Sequence, residues 1–420
     1  MPWNSDSSEN YIADAPTDDT VTPQDVALVA QRFTKDPSVR VLGYDLKAYS
    51  SDKLGFSGCH RQLTIKFKKN HAKSSETIKL FVKSVAYDNK EQSELMTDAG
   101  IFVEEHNFFN SIIPQLLENY AGEQFAPICY LSKADCLIME DLRCHNYQLR
   151  ASFFNCHPEV ESALSTLARF HASTIIAEAK LTQSFKRPMT LKERYPDYFT
   201  EKIFKKDTRV HDWITSSINV VCAVGKKFGH DPDKLRKAFD RLYEIVKPSE
   251  VHRNAITHSD LWTNNIMFDD GKPTPKSVLV DFQVIRYSPL VLDVLKFLYM
   301  HTSRDFRDNH EKELVQVYHS VMEETIKNSK MSGVAVAPTL LEITYAMDDL
   351  RVYGPGMATL YLPAVLLDPE MLKEATKDSM DFFFSDRTDL TLDLLEKNKV
   401  YRDRIKEAVD ELSIVCNTLQ

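Results

Sequence analysis

The chain has 420 residues, 43% of them hydrophobic and 27% charged, with 52 Lys and Arg against 61 Asp and Glu and a formal net charge of -9. This is the composition of a soluble globular protein with room for about two or three domains. The acidic balance excludes a nucleic-acid binder, no apolar run approaches the roughly 20 residues of a membrane span, and seven cysteines without ligand spacing point to reduced cytoplasmic thiols rather than zinc.

Residues 1–20 are rich in Asn, Ser, Asp, Glu and Thr with almost no apolar pattern, and read as a disordered acidic tail. Thr22-Pro23 opens a helix running to Phe33, with apolar residues three and four apart. Strands follow at Val41–Tyr49 and Arg61–Phe67, joined by a turn that holds Gly55-Phe56-Ser57-Gly58. Backbone N–H groups at Gly55 and Gly58 would suit nucleotide phosphates, though the same residues serve a plain hairpin turn. In the next strand, Ile78 to Val85, alternation sets Phe81, Lys83 and Val85 on one face. A lysine between bulky apolar neighbours calls for a phosphate or carboxylate partner, unless it snorkels from a sheet edge.

A helix from Ile101 supplies a candidate carboxylate. At 100° per residue Glu105 falls about 40° from Ile101, inside the stripe of Phe108, Phe109 and Ile112, whereas Glu104 lies at about -60°, on its border. Pro114 is expected to end or kink this helix. Two more strands, Pro127–Leu131 and Cys136–Met139, lead to Glu140-Asp141, which reads as a hinge where backbone groups would meet an adenine edge. The boundaries that follow are a tail at 1–20, a nucleotide-binding lobe at 21–141 and a second lobe at 142–420 carrying the catalytic loop, metal site and acceptor pocket.

Beyond residue 141 the period is helical. Helices are expected at Glu159–Ala177, with His171 as a supporting histidine, and at Lys202–Phe228, Pro232–Val246, Leu290–Thr302, Asn309–Asn328, Thr339–Leu350 and Thr391–Leu412. Between them, Ile266–Phe268 and Val278–Val280 form a hairpin around Asp269-Asp270-Gly271. Asp260 and Asn265 precede its first strand and Asp281 ends its second, so three oxygen-bearing side chains converge at its mouth. His258-x-Asp260-x-x-x-x-Asn265 has the spacing of a kinase catalytic loop, in which the Asp accepts a hydroxyl proton and the Asn holds Mg²⁺. A hard ion that keeps several waters needs only one carboxylate, one amide oxygen and phosphates.

These motifs carry a resemblance. His258 to Phe268, followed by Val280-Asp281-Phe282-Gln283, resembles the ecdysteroid kinase-like family, relatives of choline kinases and aminoglycoside phosphotransferases; the match extends to Phe102–Phe109, Ile138–Leu142, Ser288–Leu298 and Tyr353–Gly356. The resemblance implies an α+β, bilobal protein-kinase-like fold, with a small antiparallel-sheet N-lobe and a larger, mainly helical C-lobe. It implies Asp260 as catalytic base, with His258 supporting the loop beside it, and Asn265 and Asp281 as Mg²⁺ ligands. Lys83 would hold the ATP phosphates, Glu105 would orient Lys83, Trp262 would pack, and Asp293 would be structural. With Gly55, Gly58 and Glu140 these residues make up the expected nucleotide site.

One residue departs from the family pattern. Ser259 stands where the family has Gly, and if that slot requires positive φ, serine costs about 1 kcal/mol. Only twelve positions lead from Asp281 to Asp293, too few for a protein-kinase activation segment, so the acceptor is expected to be a small molecule. The resemblance implies a hydroxyl of an ecdysteroid or similar lipophilic alcohol, phosphorylated by a monomeric ATP- and Mg²⁺-dependent kinase. Tyr353–Leu367 reads equally as the wall of an acceptor pocket or as core. A catalytically silent relative binding a steroid-like ligand or nucleotide is the alternative. A metal-dependent hydrolase built on His258, Asp260 and Asp281 lacks carboxylates for a second metal.

Overall fold

Thr22 sets the first element of the computed structural model, which describes residues 20–49, 58–85, 100–269, 271, 274–367 and 385–418. Its hydroxyl accepts the Asp25 N–H at 3.2 Å while the Asp25 carboxylate accepts the Thr22 N–H at 2.9 Å, and this reciprocal cap starts α1 (Pro23–Thr34). The expected tail up to residue 19 and the expected phosphate contact at Gly55 lie outside the described residues. By internal contact the chain divides into two compact units, Met1–Asp88 with Ile128–Cys144, and Asn89–Pro127 with His145–Gln420.

The first unit is a five-stranded antiparallel sheet of β1 (Arg40–Ala48), β2 (Cys59–Lys68), β3 (Glu76–Ser84), β4 (Cys129–Ser132) and β5 (Cys136–Glu140), in the order β1-β2-β3-β5-β4. Strand alternation sends Leu63, Ile65 and Phe67 of β2 and Ile78, Leu80 and Val82 of β3 into one core with Val26 and Val29 of α1. Each of those side chains contributes about 2 kcal/mol of burial. The intervening residues of β3, Phe81 and Lys83, therefore belong to the other face, as the alternation predicts.

In the second unit α2 (Ile101–Asn107) continues through a π-helical turn at Phe108–Ile112 into Ile113–Leu117. Of the two outcomes expected at Pro114, an end or a kink, the helix does not end: the Ile113 N–H reaches back five residues to the Phe108 carbonyl, and this wide turn precedes the proline. The other helices are α3 (His157–Phe185), α4 (Leu191–Arg194), α5 (Arg209–Lys227), α6 (Pro232–Ile245), α7 (Val291–His301), α8 (Arg304–Asn328), α9 (Leu340–Asp349), α10 (Tyr353–Val365), α11 (Thr388–Lys397) and α12 (Lys399–Thr418). Two small sheets sit among them: β6 (Tyr147–Leu149) beside the hairpin of β8 (Ile266–Asp269) and β9 (Ser277–Leu279), and β7 (Asn254–Thr257) paired with β10 (Arg286–Pro289).

The α+β class is thus as the sequence implies, an antiparallel sheet followed by a mainly helical remainder. Among the described residues no helix is long and apolar enough to cross a membrane. Several helix boundaries differ from the periodicity, α3 running eight residues past Ala177 to Phe185 and α8 starting at Arg304 rather than Asn309. The helix expected from Lys202 starts at Arg209, where the Thr208 hydroxyl accepts the His211 N–H. The helix expected over Thr391–Leu412 is two helices split at Asn398, which is extended and caps the second through its bond from the Tyr401 N–H at 3.0 Å. Helix α10 covers a stretch for which no helix was expected; its Pro355 lies in the first turn, where no N–H donor is needed. Gly354 is there for space: a Cβ would stand 2.4 Å from the Tyr299 ring.

Candidate active site

The hairpin places the predicted residues. Asp260 lies in the loop after β7, Asn265 ends a single 3₁₀ turn at Thr263–Asn265, and Asp281 follows β9. Val280 joins them: its N–H donates to the Asn265 carbonyl at 3.0 Å, and its carbonyl accepts the His258 Nε2–H at 3.0 Å. The other ring nitrogen, Nδ1, accepts the Asp260 N–H at 3.3 Å. Burial pushes the His258 imidazole down against the pull of the Asp293 and Asp260 carboxylates, so the neutral Nε2–H tautomer is the one these bonds require. Both nitrogens are spent on backbone, and the ring acts by holding the loop.

Ser259 adopts φ 67°, the left-handed conformation anticipated for that slot, and Asp281 has φ 70°. For side chains with a Cβ each costs about 1 kcal/mol or somewhat more. The strain at Ser259 is held by three bonds: its N–H donates to Asp293 Oδ1 at 2.8 Å, its carbonyl accepts Lys296 Nζ at 2.8 Å, and its hydroxyl lies 3.1 Å from that of Thr257. Asp293 in the first turn of α7 also accepts the His258 N–H at 2.6 Å and His171 Nε2–H at 3.2 Å. Tyr318 of α8 closes this chain, 2.7 Å from His171 Nδ1. Burial alone would raise the Asp293 carboxyl, but His171, His258 and the backbone donors outweigh it and hold it below the usual carboxylate range. Asp293 thus ties the loop backbone to His171.

Asn265 is buried, and its Nδ2 donates to the Asp260 carbonyl at 2.8 Å and to Asp260 Oδ2 at 3.0 Å. With the amide nitrogen engaged, Oδ1 is the atom left to offer a cation, and with the Asp281 carboxylate it makes an all-oxygen donor set that fits Mg²⁺. On the other side of Asp260 stands a residue to which the sequence reading gave no role. Lys296, fully buried one turn after Asp293, reaches Asp260 Oδ1 at 3.3 Å, and its ammonium lies 3.8 Å from the centre of the Tyr361 ring. Burial, opposed by the Asp260 charge, brings its pKa down to about 8. The available signal was a lone lysine inside the apolar run Val291–Met300.

Tyr361, half-buried, also meets Trp213 edge-on at 5.1 Å. On the same helix Tyr353 is buried, 3.4 Å from Arg286, which Glu201 holds in a two-pronged ion pair. The stretch from Tyr353 is accordingly core along most of its length, with Tyr361 the ring nearest the Asp260 lysine.

The remaining predicted residues are placed as follows. Lys83 is buried at 4% exposure in the first unit, paired in register with His60 and Leu137; burial, then the Lys83 charge, pushes His60 down to about 4. Gly58 has φ 110°, a conformation that favours glycine. Glu140 ends β5, where its carboxylate accepts the Ile128 N–H at 3.2 Å, while Asp141 accepts the Tyr49 hydroxyl and Gln62 amide. In the second unit Glu105 is buried as expected, but so is Glu104, which the wheel put on the border. Glu104 lies 3.6 Å from Lys202, and burial raises its pKa to about 8.

The sequence matches the model of the Ecdysteroid kinase-like family over residues 56–331, a range that includes the loop, the hairpin and Asp293. The chain belongs to the ecdysteroid kinase-like family. It is thereby a kinase-like phosphotransferase of the small-molecule kind. No curated protein matches the chain. Among solved structures, this ecdysteroid kinase-like chain is similar to an ethanolamine kinase of Plasmodium vivax at 13% identity, covering 82% of this chain and 81% of that one with a TM-score of 0.38. It is also similar to the ADP-bound aminoglycoside phosphotransferase APH(2'')-Ib at 14% identity, with 87% and 99% covered and a TM-score of 0.32. A third is a microcompartment-associated aminopropanol kinase at 10% identity, with 89% and 98% covered and a TM-score of 0.30.

Proposed function

We propose that this protein transfers the γ-phosphoryl group of ATP to a hydroxyl of an ecdysteroid or comparable lipophilic alcohol. The observation that carries the reading is the loop itself: Asp260 is held on one carboxylate oxygen by Lys296 and on the other by Asn265, with a side chain still 14% exposed. A carboxylate fixed at both ends yet open to solvent is poised to take a proton from an incoming hydroxyl. That hydroxyl oxygen forms the new bond to the γ-phosphorus as the bond to the ADP oxygen breaks, and its proton passes to Asp260. Mg²⁺, when bound at Asn265 Oδ1 and Asp281, supplies charge neutralisation on the phosphates. Lys83, Glu105, Gly55, Gly58 and Glu140 take the nucleotide roles that family resemblance assigns, within residues 21–141. Residues 142–420 take the acceptor, and the half-buried rings of Tyr361 and Trp213 favour a lipophilic one.

The test is mass spectrometry of ecdysteroids and other lipophilic alcohols incubated with the protein, ATP and Mg²⁺. Wild type should yield a monophosphate; Asp260→Asn should lose at least about a hundredfold in rate while still binding MgATP, and Asp281→Asn should weaken Mg²⁺-dependent ATP binding. No phosphorylated product from any alcohol, together with no MgATP-dependent thermal shift, would overturn the reading. MgATP binding without a product from any acceptor would favour the silent binder.

A further inference from the structure

A second cluster of metal-type ligands lies outside the kinase loop, on two helices of the same unit. His157 opens α3, and His310 and Glu313 stand one turn apart on α8, so both residues of that pair face the same way. One ligand atom from each of the three lies within 4.8 Å of the other two. His157 Nε2 is 4.0 Å from the Glu313 carboxylate and His310 Nδ1 is 3.9 Å from it. Neighbouring ligands of a tetrahedral zinc stand about 3.3 Å apart, given bonds of about 2.0–2.1 Å. All three side chains are partly exposed, and side-chain rotations that move the ligand atoms by about 1.5 Å or less close that gap.

Two further features go beyond the proximity of three ligands. Glu161, one turn along α3, lies 3.8 Å from His157 Nδ1, the ring nitrogen that ligation through Nε2 would leave protonated. A carboxylate in that place fixes the tautomer and raises the basicity of a metal-bound imidazole. Beneath both rings lies buried Phe306, 4.7 Å from His310 and 6.0 Å from His157, with the two imidazoles edge to face at 5.1 Å. An apolar floor under a polar ligand set restricts the rings and keeps water on the outer side only.

We infer that His157, His310 and Glu313 form a site for a transition-metal dication of the zinc type, with Glu161 orienting His157. Two imidazoles and one carboxylate select such an ion over Mg²⁺ or Ca²⁺, which take oxygen donors, so this site is chemically distinct from the Asn265 and Asp281 pair. Three protein ligands leave a fourth position for water. The bound ion ties the start of α3 to α8, the helices that carry His171 and Tyr318 about 21 Å further along α3.

The experiment uses the full chain, stripped with chelator and desalted, with zinc chloride alone as the probe. Titration calorimetry should show one ion bound per chain at a site that millimolar Mg²⁺ does not fill, and thermal denaturation should show a higher Tm with zinc. His157→Ala and His310→Ala should each weaken binding at least tenfold and remove the zinc-dependent Tm shift, whereas His319→Ala, on the same helix but outside the cluster, should leave both unchanged. Chelator added to zinc-loaded wild type should reverse the Tm shift without any substitution. No saturable zinc binding to wild type would overturn the inference. So would an affinity that survives in the His157→Ala, His310→Ala double variant, because the ion would then sit on thiols.

Discussion

Ser259 and Lys296 enter the catalytic loop from opposite directions, one through backbone strain and the other through buried charge. The φ of 67° at Ser259 is stabilised by Asp293 and Lys296, so Ser259→Gly should retain activity and stay within about 1 kcal/mol of wild type in urea denaturation. Ser259→Val should cost about 2–3 kcal/mol, because a β-branched residue is a true outlier there. The Lys296 effect depends on pH. Its folded pKa of about 8 lies below the ordinary lysine value of 10.5, so the unfolded chain binds more protons between those values and stability rises as pH rises through that window. Below pH 8 the buried charge costs roughly 3 kcal/mol relative to the neutral amine. Lys296→Met should therefore flatten the rise of Tm between pH 8 and pH 10, and should transfer phosphate more slowly because Asp260 Oδ1 loses its partner. A Tm against pH series checks the first effect, and initial rates check the second. At this scale the spacing singled out Asp260, Asn265 and Asp281 as candidates, since turn chemistry is local. Lys296 was not legible, because its meaning depends on a fold that turns α7 back beneath the loop.

At the scale of elements, the first turn of α7 is what gives the loop its shape. Asp293 accepts the N–H groups of His258 and Ser259 and the His171 Nε2–H, and Asp293→Ala leaves three buried donors without their acceptor. The expected loss is about 3 kcal/mol or more, together with faster amide exchange at residues 258 and 259 than elsewhere in the unit. Elements with a clean period were legible: α1 through Thr22-Pro23 and apolar spacing, β2 and β3 through alternation, α3 and α6 through apolar spacing. The failures share a cause, in that a single residue type was read by its commonest use. Pro114 read as a helix end or kink, and the π turn before it carries the helix on instead. Asn398 read as one more helical residue and instead caps the start of a new helix.

For the whole molecule, the seven cysteines test the redox reading. All are free, and burial pushes the Cys136 thiol up to about 12 and Cys416 up to about 11, far from reactive thiolate. Reductant should leave the Tm unchanged, and iodoacetamide at neutral pH should modify Cys136 last, as peptide mapping by mass spectrometry would show.

The Val280 backbone carries no reactive group, yet it bonds to Asn265 through its N–H and to His258 through its carbonyl. Because that splint bypasses the β8–β9 turn, the length of the turn is uncoupled from the spacing of Asn265 and Asp281. Protein engineers thus have a permissive insertion point there, where a fluorophore or affinity tag would sit one hairpin away from the reacting atoms and leave their geometry intact.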